Sequence, residues 1–112
     1  MTVKVLAISG SLRKASFNTL ALRAAAELAP EGMEVTLYDG LRDIPLYDDD
    51  LRAGSGYPAP VAAFRAAIKA ADALLIASPE YNFSISGVLK NAIDWASRAP
   101  DQPFDGKPVA IL

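Results

Sequence analysis

Two short runs, Val3 to Ile8 and Ala73 to Ala77, are apolar at almost every position and show no alternation of polar with apolar residues. A strand with one wet face alternates, so runs of this kind are read as parallel strands covered on both faces. Parallel neighbours need long crossover connections. The residues after each run supply them: a polar loop marked by glycine or proline, then helical periodicity. That pattern points to an α/β chain with helices on both faces of a parallel sheet and right-handed crossovers.

The remaining segments fit the same scheme. Asn18 to Ala29 reads as a helix ended by Pro30 and Gly32, and Glu34 to Tyr38 alternates around Val35 and Leu37 like a half-buried strand at a sheet edge. Asp39 to Pro60, with three prolines and three glycines, reads as a long surface connection. A helix over Val61 to Ala71 puts Val61, Phe64 and Ile68 on one face. A further helix over Gly87 to Arg98 gathers Val88, Leu89, Ala92, Ile93, Trp95 and Ala96 in one arc, with Lys90/Asp94 and Asp94/Arg98 spaced for ion pairs. Val109 to Leu112 is apolar throughout, as expected of an interior strand covered on both faces. Nothing after it supplies a neighbour, so the expectation is one domain over residues 1–112 truncated at its C-terminus, or a sheet completed by another copy.

Composition removes several function classes. The 112 residues contain no Cys and no His, which excludes thiolate chemistry, disulfides and the imidazole base of most hydrolytic triads. A net charge of −2 does not suit a nucleic-acid binder, which needs clustered excess cations. The apolar stretch after Lys4 is too short for a signal-peptide core or a membrane span, so the chain is read as cytoplasmic with no membrane partner. Asp48, Asp49 and Asp50 raise the idea of a cation site, but consecutive carboxylates project in different directions and read as a solvated turn.

Function is sought in the loops after the two buried strands. In "ISGSLRKASFNTL", Gly10 permits a tight turn, and Ser11, Arg13, Ser16, Asn18 and Thr19 offer donors where a helix begins, the usual place for a phosphate. The same residues are compatible with a plainer role, Asn18 capping the helix and the serines satisfying a turn. Neither the P-loop nor the Rossmann fingerprint is present, because Ala15 and Ser16 stand where G-K is needed and Leu12 where a second glycine is needed. A hydroxyl-rich loop without the P-loop lysine suits a single terminal phosphate such as that of FMN. In "SPEYNFSISGVLKNAIDW", Tyr81 can lie against a planar ring and Asn82 can bond its edge; alternatively Pro79 ends the strand and Tyr81 packs.

Taken together, "GSLRKASFN" and "PEYNFSISGVLKNAIDW" resemble the NADPH-dependent FMN reductase family, which includes chromate, quinone and azo-dye reductases. The resemblance covers essentially the whole chain. It implies a flavodoxin-like three-layer sandwich with four strands here in the order 2-1-3-4, the family's fifth strand missing. It also implies FMN held at Ser11, Leu12, Arg13, Ser16, Phe17 and Asn18, and contacted by Pro79, Glu80, Tyr81 and Asn82. NADPH or NADH would be the donor, a quinone, flavin, azo compound or metal oxyanion the small-molecule acceptor, and a homodimer or homotetramer the assembly. Family members often carry Gly at Ala15, Gly at Phe83 and Pro at Ser86; the first difference costs backbone freedom and the second narrows the flavin mouth. Trp95, at the margin of its arc, is either core or a subunit contact, and the resemblance favours the contact. Arg13 and Lys14 are also candidates to meet a phosphate of NADPH. With the redox chemistry residing in FMN, no side chain is assigned a catalytic acid or base role. The rival readings are a flavodoxin-type electron carrier without enzymatic activity and a flavin-free truncated form acting only through subunit association.

Overall fold

The computed structural model describes residues 1–112. Strands β1 (Val3–Ser9), β2 (Met33–Tyr38), β3 (Ala73–Ala77) and β4 (Val109–Ile111) form one parallel sheet in the order β2-β1-β3-β4. The helices are α1 (Phe17–Leu28), α2 (Asp49–Ser55), α3 (Ala59–Ala70) and α4 (Gly87–Ala96). Ile8 is in register with Tyr38 on one side and Ile76 on the other. The loops that follow β1, β2 and β3 therefore open at the same end of the sheet, where α/β proteins bind ligands.

Alternation along β1 sends Leu6 and Ile8 to one face and Ala7 to the other. The first face holds the main core, where Leu74, Val61, Phe64, Ile68, Leu89 and Trp95 pack against the sheet. Full burial of side chains such as Phe64 or Ile68 contributes about 1.5–3 kcal/mol each. On the second face Ala7 and Ala77 meet Leu22 of α1 in a much smaller cluster.

Several expectations are corrected. Residues 39–60 are not a featureless surface connection: Leu41–Asp43 forms a 3₁₀ turn, and Leu41 and Ile44 are buried in the main core. The three aspartates are not a simple turn, because Asp48 caps α2 through Asp50 N at 2.9 Å and Asp49 pairs with Arg52 at 2.8 Å. β4, by contrast, matches the incomplete sheet expected from the sequence: it is an edge strand, with Val109 47% and Ile111 74% exposed. Val3 and Lys4 are exposed too, so β1 is buried only from Val5 onward. Trp95 is core and no subunit contact: it is fully buried, its Nε1 donates to Pro45 O at 2.8 Å, and the Tyr47 ring meets it edge-on. Of the two helical ion pairs, Lys90–Asp94 forms at 2.7 Å and Asp94–Arg98 does not. α4 ends at Ala96, and α3 starts at Ala59, since Pro60 in a first turn has no amide to lose.

Candidate cofactor-binding site

The loop after β1 is built around hydroxyls. Ser9 Oγ accepts from Ser11 N at 3.2 Å and from Thr19 Oγ1 at 2.9 Å, and Ser11 Oγ accepts from Arg13 N at 3.3 Å. Ser16, not Asn18, caps α1, accepting from Thr19 N at 3.3 Å, and Phe17 is the first helical residue. The amides of Leu12, Lys14, Ala15, Phe17 and Asn18 donate to no protein group. Unpaired amides at a helix N-terminus, with the exposed Arg13 beside them, form a donor set suited to an anion. The Arg13 guanidinium lies over the Phe17 ring at 5.9 Å.

The loop after β3 makes a tight turn. Tyr81 and Ser84 exchange backbone hydrogen bonds at 3.0 and 3.1 Å, with φ of 53° at Asn82 and 65° at Phe83. Positive φ at both central residues suits Asn and disfavours Phe, which explains why glycine is at home at the second position. Phe83 nonetheless narrows nothing within the chain, being 98% exposed. Glu80 Oε2 accepts from Phe83 N at 3.0 Å, bracing the turn. Tyr81 is 58% exposed, so its ring is open to a partner.

Three residues lock these loops together. Ser86 caps α4 by accepting from Leu89 N at 3.3 Å, and its hydroxyl donates to Gly10 O at 2.6 Å, 76 residues away in sequence. Ser78 Oγ accepts from Ser86 N at 3.2 Å, and Gly10 N donates to Ala77 O at 2.7 Å. Gly10 is required for space: an added Cβ would stand 2.7 Å from Ser78 Oγ and 3.0 Å from Ser86 Oγ. Close approach, and not the tight turn expected from the sequence, is its reason. Ser78 was not singled out from sequence, and Ser86 only as a position where the family often has proline; a serine one residue before "GVLK" is a legible capping signal, but its bond to Gly10 is not.

On the β2 side of the first loop lies a cleft of about 520 Å³. Among the predicted site residues it takes in Ser11, Leu12 and Arg13, and none of Ser16, Phe17, Asn18 or Pro79 to Asn82. Arg42 reaches across to donate to Leu12 O at 2.9 Å. Burial, followed by the charges of Asp39 and Asp43, pushes the Tyr38 hydroxyl above its ordinary pKa.

Comparison with known proteins gives this geometry a family. Residues 3–112 match the family model described as NADPH-dependent FMN reductase. The chain belongs to that family. It is 60% identical over 110 residues to an NAD(P)H-dependent FMN reductase of Pseudomonas aeruginosa, covering 98% of this chain and 58% of the relative. A quinone reductase of Escherichia coli is 50% identical over 109 residues, covering 97% and 58% respectively. Among solved structures, a flavoenzyme NAD(P)H:(acceptor) oxidoreductase of Paracoccus denitrificans superposes with a TM-score of 0.87 at 39% identity, over 99% of this chain and 60% of that one. The chain thus spans a little under three fifths of the curated relatives it matches here. The flavodoxin-like order expected from the sequence is the order observed. No helix is long and apolar enough to cross a membrane.

Proposed function

We propose that residues 1–112 are one FMN-binding domain of a cytoplasmic NAD(P)H-dependent reductase that passes electrons to a quinone or similar small acceptor. The observation that carries this reading is the Gly10–Ser78–Ser86 junction, which fixes the two loops side by side at one end of the sheet. The residues present fit FMN. Five unpaired amides, the Ser11 hydroxyl and the unpaired Arg13 suit a phosphate dianion, with Leu12, Ser16, Phe17 and Asn18 shaping that cradle. Pro79, Glu80, Tyr81 and Asn82 would meet the flavin ring, Tyr81 through its open face.

FMN, when bound, supplies the carrier of two electrons between nicotinamide and acceptor. The chain's own contribution is to bind and orient: Ser86 and Ser78 hold the loop spacing, and Glu80 keeps the Tyr81–Ser84 turn in shape. A homodimer or homotetramer is the assembly proposed, on the family resemblance. The test is NADPH oxidation by the chain with and without FMN and a benzoquinone. Consumption that requires both is expected; FMN bound tightly with no NADPH consumption would leave only an electron carrier.

A further inference from the structure

The cleft on the β2 side is not explained by an FMN cradle. Arg13, Lys14, Arg23 and Arg42 line it against a single carboxylate, Asp39. None of the four cations forms a salt bridge. Arg42 is steered toward the cleft by its bond to Leu12 O at 2.9 Å. Like charges gathered around one concavity repel one another unless a counter-charge enters, so the arrangement favours a ligand with several negative charges. A volume of about 520 Å³ is far larger than a simple oxyanion needs. The walls supply what a nucleotide body would use. Tyr38 is a rigid aromatic wall, packed 5.0 Å from the Phe64 ring and backed by Gly40, where a Cβ would strike the tyrosine hydroxyl at 2.7 Å. Asp39 is an acceptor for ribose hydroxyls.

It borders the first loop, sharing Ser11, Leu12 and Arg13 with the FMN cradle, and its position separates it from the second. β1 lies between β2 and β3 in the sheet, so the cleft and the Tyr81 loop stand on opposite sides of β1. We propose that this cleft is a second nucleotide subsite, taking the phosphate-bearing end of an adenosine bisphosphate, with Arg23 and Arg42 as the residues that distinguish it from the FMN cradle. Only the further step, that the adenosine end belongs to the reduced dinucleotide donor and the extra phosphate selects NADPH over NADH, rests on the function proposed above.

The experiment is calorimetric titration of the chain with adenosine 2′,5′-bisphosphate, alone and after saturation with FMN, beside inorganic phosphate and the Arg23→Glu variant. Expected are one-to-one binding that persists with FMN bound, weakens with added salt, and falls at least tenfold in Arg23→Glu while FMN affinity is unchanged. Displacement of the bisphosphate by one equivalent of FMN would overturn the proposal, as would absence of binding or an unaffected Arg23→Glu. Inorganic phosphate binding as tightly as the bisphosphate would reduce the cleft to an anion site and overturn the nucleotide assignment. Failure of FMN to bind in the same samples would count against the proposed function and leave the bisphosphate result standing.

Discussion

Replacing Gly10 by alanine tests the junction that the site depends on. The new Cβ would lie 2.7 Å from Ser78 Oγ, 3.0 Å from Ser78 Cβ and 3.0 Å from Ser86 Oγ. Neither serine is free to swing away. Ser78 Oγ donates to Pro79 O at 2.9 Å while accepting from Ser86 N, and Ser86 Oγ is committed to both Gly10 O and Leu89 N. Overpacking a tight site costs about 1–3 kcal/mol, and a strained or lost neutral hydrogen bond adds about 1 kcal/mol. A loss of about 2–4 kcal/mol is expected, with FMN affinity reduced at least tenfold because the two loops separate. Urea unfolding followed by the fluorescence of Trp95, the one tryptophan and fully buried, measures the first. Adding Ser78→Ala should recover part of the loss, since it removes the closest contact and leaves the two at 3.0 Å. Wild-type stability and FMN affinity in Gly10→Ala, or no recovery in the double variant, would refute the close-approach argument.

Three further outcomes follow from the same geometry. Arg13→Ala should weaken FMN binding about ten- to a hundredfold through loss of charge-assisted bonds, with unfolding unchanged; equal affinity would remove Arg13 from the cradle. Arg65 donates to the carbonyls of Trp95, Ala96, Arg98 and Asp101 at the end of α4 and lies 4.3 Å over the Tyr57 ring. Arg65→Ala should therefore cost about 2–3 kcal/mol in urea unfolding, only partly restored by Lys, whose ammonium cannot fork. The hydrogen bond from Arg52, then that from Tyr47, holds the Asp49 carboxyl below its ordinary 3.8, and Lys69 does the same for Asp101. A carboxylate depressed on folding stabilises above its unfolded pKa, and that contribution is lost as pH falls through the folded value. Thermal unfolding between pH 7 and pH 2 should show a small acid loss that Asp49→Asn reduces.

What could be read from the sequence was whatever periodicity or a local motif carries. Unbroken apolar runs gave β1 and β3 and the alternating segment gave the β2 edge, while the paired loops pointed to the family. α2 escaped because none of its residues is buried, so no apolar face announces it; the Asp48 cap and the Asp49–Arg52 pair hold it instead. The all-apolar β4 run reports what the strand would bury against, and the exposed edge observed agrees with the missing neighbour expected from the sequence. The Ser86–Gly10 bond and the convergence of Arg13, Arg23 and Arg42 are tertiary facts. They follow from β1 lying between β2 and β3, and no spacing along the chain encodes them.

The central claim is that the two loops of this chain hold FMN, and titrating FMN fluorescence with the purified 112-residue chain tests it most directly. The account predicts saturable one-to-one quenching with a Kd in the micromolar range or tighter, about −8 kcal/mol or more. Unquenched flavin in the presence of a chain whose buried Trp95 emission shows it to be folded would contradict it.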